Sequence, residues 1–371
     1  MPVFLSTLMA WVSQIFVETL GFFLVVWTLY SAIRTIVLPR SANVLMTELL
    51  FRSVFALFRI RLRFADTYEE RDRVMALFAP ITLLLLPVSW IIMILLGYTV
   101  MFWGLGTRPW FDAFFLSGSS LFTLGFMAVD DLPRTVLVFS EATIGLGLIA
   151  LLISYLPSIY SAFSRRESAV AMLEARAGSP PTPVELITRS LRIGLLHKLS
   201  DLWFTWEVWF AEVEESHTSH AYLVFFRSPQ PDRSWITAAG CVLDAAALMA
   251  STVDTGDNGD YPPGLCIRAG FVALRRIADF YNIDYNADPQ PTDPISIAKE
   301  EFFSVYEELM EKGVPVVADR EQAWRDYAGW RVNYDAPLLA LARLTMAPYA
   351  PWVSDRSFAI QPKAKGFAKI A

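Results

Sequence analysis

Four groups of residues in this 371-residue chain could do chemistry. The run Asp254-Thr255-Gly256-Asp257-Asn258-Gly259-Asp260 offers oxygens that suit calcium. It misses the order of an EF-hand loop and has no glutamate at the twelfth position, so a solvated turn is expected. His217 and His220, with Cys241 and Cys266, would compose a nominal zinc set, but their spacings match no zinc knuckle. The two histidines are expected where a helix ends at the surface. The aromatic run Trp203 to Phe210 reads as core, or as aromatics packed at a membrane surface. No Ser-His-Asp arrangement and no Gly-x-Gly-x-x-Gly loop occurs, so the chain is not expected to be an enzyme or to hold a cofactor.

The fourth group, Arg108 to Pro133, is of another kind. Pro109-Trp110-Phe111-Asp112 starts a short helix that continues through Ala113 to Phe122. It is apolar enough for membrane depth, yet only about half a spanning length. The chain breaks at Thr123-Leu124-Gly125-Phe126 and returns through Asp130-Asp131-Leu132-Pro133. Irregular backbone at that depth survives only where protein buries it or where it lines a wet path. A re-entrant loop at a pore or substrate cavity is the expected arrangement.

Such a loop needs spanning helices on both sides, and the composition supplies them. Hydrophobic residues make up 54% of the chain and charged ones 18%, against roughly 25% charged in soluble domains. Mean hydropathy is +0.41. Three stretches reach spanning length: Leu8 to Ile33, interrupted by Glu18; one within Val74 to Thr107; and one within Ala142 to Ser164. Eight arginines from Arg34 to Arg73 separate the first two, and Arg165-Arg166 follow the third. The positive-inside rule then places the N-terminus outside the cell membrane and the C-terminal part in the cytoplasm. Between Asn43 and Phe64 a basic stripe recurs at helical spacing, predicting an amphipathic helix in contact with membrane lipid.

All of the net charge of −6 lies beyond Phe163. This acidity argues against nucleic acid as a partner. Two cysteines with no short spacing fit a reducing compartment, and the N-terminus has no basic leader that would mark a cleaved signal. After the breaker Gly178 to Pro183, helices are expected over Val184–Glu215, Trp235–Val253, Gly264–Tyr281, Ile295–Lys312 and Arg320–Thr345. The organisation read from the sequence is a first transmembrane helix (1–40), an interfacial helix (41–73), a pore module (74–166), a linker (167–183), a helical cytosolic domain (184–350) and a tail (351–371).

Within residues 74–166, about a quarter of the chain, the residues resemble potassium-channel-like pore-loop channels. Asp112-Ala113-Phe114-Phe115-Leu116-Ser117 looks like their pore helix, and Thr123-Leu124-Gly125-Phe126 like the Thr-Val-Gly-Tyr start of their filter. The resemblance implies a homotetramer in which rings of Thr123, Leu124, Gly125 and Phe126 bind permeating potassium or sodium ions. It also implies an inner helix in which Gly145, Gly147, Ser154 and Pro157 serve as hinge or gate. Met127 stands where the family has a second glycine of positive φ, and Ala128 where it has aspartate. A filter short of one carbonyl ring is expected to pass sodium as well.

The expected fold is therefore an all-α integral membrane protein with three transmembrane helices, one re-entrant pore loop and an all-helical C-terminal cytosolic domain. The expected function is a tetrameric, potassium-permeant cation channel of weak selectivity with a regulatory cytosolic domain. The alternative is a non-conducting membrane scaffold or sensor whose cytosolic helices bind a partner.

Overall fold

The computed structural model describes residues 2–36, 45–254, 256 and 263–356. Among these it is all-helical, with 75% helix and no strand. The helices are α1 (Pro2–Ile36), α2 (Leu45–Leu62), α3 (Tyr68–Ala76), α4 (Phe78–Gly104), α5 (Trp110–Leu121), α6 (Leu132–Ala177), α7 (Pro183–Arg192), α8 (Leu199–Ser219), α9 (Trp235–Ser251), α10 (Pro263–Phe280), α11 (Lys299–Glu311), α12 (Arg320–Arg331) and α13 (Asp335–Leu344). Two compact units result, one from residues of Met1–Val54 and Pro80–Tyr160, the other from Phe55–Ala79 and Ser161–Ala371. Residues of the expected interfacial segment 41–73 therefore fall in both.

Three helices are long and apolar enough to cross a membrane: α1, the α3–α4 stretch and α6. In the first unit, α1 and α4 meet where side chains are missing. A Cβ on Gly21 would stand 2.5 Å from Gly97 O, and one on Gly97 would stand 2.7 Å from Val25 Cγ2. Gly104 likewise leaves room for Glu18, whose Cγ would lie 2.7 Å from a Cβ there. Such small-residue contacts are how apolar helices approach closely when no hydrophobic force drives them together. Trp90 adds a hydrogen bond from Nε1 to Ser31 Oγ (3.3 Å). Trp90, Ile94, Phe102, Ala113 and Leu116 form the buried centre of this unit.

The second unit is built on α9, whose small residues let α7, α10, α12 and α13 pack against it. Gly240 leaves room for Val353 and Leu338, and Gly270 for Leu243 and Phe210. At its centre Arg331 and Asp244 are both fully buried. Arg331 Nη1 donates to the two oxygens of Asp244 (2.6 and 2.7 Å). Nε donates to Asp335 (2.8 Å) and Nη2 to Trp352 O (2.6 Å). Tyr334 and Tyr327 hydroxyls donate to Asp244 as well (2.8 and 3.2 Å). Burial of these charges is tolerable only because each has so many partners.

Several expected boundaries change, for local reasons. The Val184–Glu215 helix is two: Gly194, at φ +70°, ends α7, and Leu195 N donates back to Ser190 O (2.8 Å). The Arg320–Thr345 helix is also two. Pro337 cannot donate to Asn333 O, which accepts instead from Arg275 Nε (2.9 Å). In the reverse sense α6 runs on to Ala177, since nothing between Pro157 and Gly178 breaks it, so the expected linker is mostly helix. Thr182 caps α7 by accepting from Glu185 N (3.1 Å), with Pro183 opening the helix.

His217 is not at the surface but buried. Arg166, itself buried, donates to Leu223 O and Phe226 O (both 2.7 Å) and faces His217 Nε2 at 3.1 Å. Because a guanidinium only donates, Nε2 accepts, and the ring proton sits on Nδ1, 3.1 Å from Ser216 Oγ. Cys241 and Cys266 are free and buried, and no metal-binding group of His, Cys, Asp and Glu exists among the described residues. Most of the Asp254–Asp260 loop and the tail beyond Arg356 lie outside those residues.

Two expectations follow. Asp244→Ala leaves Arg331 buried beside Asp335 alone and should cost about 3–5 kcal/mol, read by thermal unfolding of the detergent-solubilised chain. Burial, and then Arg166, hold His217 well below the ordinary histidine range. The unfolded histidine takes up a proton below about pH 6.5 that the folded one refuses, so stability falls as pH drops. Relative to His217→Gln, the wild-type chain should lose up to about 1.4 kcal/mol per pH unit below that point.

Candidate functional site

The residues singled out by sequence lie on α5, the loop that follows it, and α6. Asp112 sits in the first turn of α5, where a carboxylate complements the helix dipole. Buried Ala113, Leu116, Ser117, Ser120 and Leu121 fix α5 inside the first unit. The helix then closes on itself: Phe122 N donates to Gly118 O (3.1 Å), Thr123 N to Ser120 O (3.0 Å) and Leu124 N to Ser119 O (2.8 Å). This closure needs a left-handed residue at its penultimate position, usually glycine. Here that residue is Thr123, at φ +55°. A β-branched residue in that region costs of order 1–2 kcal/mol, a strain kept by the surrounding contacts.

Beyond it, Phe126 N donates to Ser119 Oγ (2.8 Å). Gly125, at φ +70°, turns the chain between. Phe126 stacks on Phe115 (6.1 Å between centroids) and Phe115 on Phe111 (6.0 Å), so an aromatic ladder joins the loop to the start of α5. The amides of residues 122, 123, 124 and 126 are thus all engaged by α5. None of the hydrogen bonds among the described residues ends on the carbonyl oxygens of residues 123–126. Residues 122–126 are exposed in the single chain. Met127, expected to meet the strain of a glycine position, does not: the positive φ angles of this loop fall on Thr123 and Gly125.

The α6 residues divide. Gly145 is buried where α6 crosses the end of α5, and a Cβ there would overlap Leu121 O. Gly147 faces open space. Ser154 and Pro157 are exposed, and Ser154 bonds only its own helix, at Leu151 O (2.9 Å). Pro157 lies inside α6 without ending it. Gly145 therefore serves packing in this arrangement, whereas Gly147, Ser154 and Pro157 remain on the open face.

One residue of this site was missed by sequence reasoning. Glu141 is fully buried and contacts Ser117 of α5. The apolar run was read as starting one residue later, at Ala142. The available signal was spacing: Glu141 stands four residues before Gly145, on the same helical face. Tyr98 OH lies 2.9 Å from the neighbouring Ser140 Oγ, tying α4 to the same turn of α6.

No protein-family model, curated protein or solved structure matches this chain.

The two glycines of α6 make a paired test of the crossing. Gly145→Ala places a methyl group against backbone that cannot swing away, and should destabilise the solubilised protein by roughly 1–3 kcal/mol. Gly147→Ala, in open space, should be neutral or stabilising by up to about 1 kcal/mol, since alanine favours helix. Thermal unfolding of both variants decides.

Proposed function

We propose that this protein is a potassium-permeant cation channel of four identical chains, in which residues 123–126 form the narrow ion path. The observation that carries this reading is the division of labour in that loop. The amides of residues 123, 124 and 126 are engaged by α5, while the carbonyl oxygens of residues 123–126 accept no hydrogen bond among the described residues. Rings of such oxygens replace the water around a cation. The C-terminal end of α5, with its partial negative charge, faces the same place. One chain supplies one loop, and a closed ring needs several copies. The exposed Phe122, Leu124 and Phe126 give each copy an apolar edge for its neighbour.

In this reading α5 and the loop are re-entrant, entering the bilayer from the side opposite the arginine-rich segment between α1 and α4. Residues after α6 form the cytosolic domain, whose excess of acidic residues attracts cations and which regulates opening. Selectivity is weak because Met127, which is not at positive φ, lacks the glycine conformation that would turn a further carbonyl into the ring.

The purified protein should be tetrameric by native mass measurement and should pass potassium across liposome membranes. Gly125→Ala forces a side chain into the left-handed region at a cost of order 1 kcal/mol in each subunit. It should abolish current while leaving the tetramer intact. A monomer, ion-tight liposomes, or unchanged current in that variant each overturn the reading, and ion-tight liposomes favour the scaffold.

A further inference from the structure

Glu141 sits in an environment that does not suit a carboxylate. It is completely buried, and its Oε2 has no hydrogen-bond partner. The elements packed around it bring no cation. α4 contains no charged residue and faces it with Tyr98, whose hydroxyl is engaged with Ser140. α5 carries one acid, Asp112, at its far end, and faces Glu141 with Ser117. Arg134, two turns earlier on α6, pairs with Asp131.

The geometry at Ser117 distinguishes the two protonation states. Ser117 Oγ lies 2.5 Å from Glu141 Oε1 and 3.0 Å from Leu95 O on α4. A hydroxyl has one proton and can serve only one of these oxygens as donor. With an ionised Glu141, Ser117 would serve Oε1 and face Leu95 O at 3.0 Å with no proton between, and the charged Oε2 would stay buried without a partner. With a protonated Glu141 both contacts are hydrogen bonds: Oε1–H donates to Ser117 Oγ, and Ser117 donates to Leu95 O. The atom left without a partner is then a neutral carbonyl oxygen, which is far cheaper to bury.

We propose that Glu141 is held as a neutral carboxylic acid and is a positioning residue, clamping α5 between α4 and α6 so that Ser119 holds the loop at Phe126. The positioning role rests on the channel reading; the proton does not. Ionising Glu141 turns the Ser117 proton toward the carboxylate, breaks the α5–α4 link to Leu95 O, which keeps Thr99 Oγ1 (2.7 Å), and puts an unpaired charge into the α5–α6 contact. The loop attached to α5 then loses its register.

The test uses the full-length protein in liposomes, with E141Q, which keeps a neutral donor, and E141A, which removes it. Wild-type potassium current should fall by roughly tenfold or more as pH is raised through the titration of Glu141, the scale of one lost buried hydrogen bond. E141Q should conduct at every pH without that fall, and E141A should be reduced throughout. Infrared difference spectra of wild type against E141Q should show a protonated carboxyl band at neutral pH that disappears over the same pH range as the fall in current. Absence of the band overturns the neutral acid. A normal current in E141A, or an E141Q profile that titrates like wild type, overturns the positioning role. If the wild-type protein passes no ions while the band is present, the channel reading and the positioning role fail together, and the neutral acid stands.

Discussion

The loop after α5 finds acceptors for most of its backbone amides on the helix it has just left. Ser119 alone provides two, its carbonyl for Leu124 and its hydroxyl for Phe126. The position of the loop is therefore inherited from α5, and that of α5 from its neighbours. Gly145 lets α6 come against the last turn of α5, Ser117 bridges to both α4 and α6, and Phe115 supports Phe126 from the side. Moving any of these moves the acceptors that hold the loop.

The second unit is held by a different device. Its polar interior is concentrated in arginines that each tie several segments together. Arg331 joins α9, α13 and the chain at Trp352. Arg227 joins Asp72 of α3 (2.9 Å) to the carbonyls of Thr345 and Met346 (2.7 and 3.0 Å). Arg166 does the same for the carbonyls at 223 and 226. A guanidinium can do this because its donors point in fixed, divergent directions and it stays charged when buried. Lysine at these positions would reach fewer carbonyls.

Much of the helical order was legible in the sequence because length and hydropathy settle it. Long uncharged runs have few alternatives to a helix, and the Pro109-to-Leu121 segment is bounded by proline on one side and Thr-Leu-Gly on the other. The misplaced features depend on distant partners. The end of α7 at Gly194 and the break before α13 lie inside amphipathic runs that periodicity alone joins into one helix. His217 looked like a surface residue because nothing nearby in sequence announces Arg166. Glu141 was invisible as a site residue for a related reason: a single acid at the edge of an apolar run reads as its boundary until the helix packed against it is known.

The glycine contact between α1 and α4 determines how the first unit would respond to the bilayer around it. Attraction across Gly21, Gly97 and Gly104 comes from closely apposed backbone and short side chains, and such dispersion forces fade steeply with separation. A thicker or thinner bilayer changes the tilt at which each helix best matches its apolar length. Helices that meet through long, flexible side chains can absorb a change of tilt gradually. Here a small rotation would part these close contacts first, while the Trp90–Ser31 hydrogen bond and the apolar contacts around Val25 and Ala32 also join the helices. The tilt between α1 and α4 is therefore set most tightly at these glycines, where a change of angle is felt first.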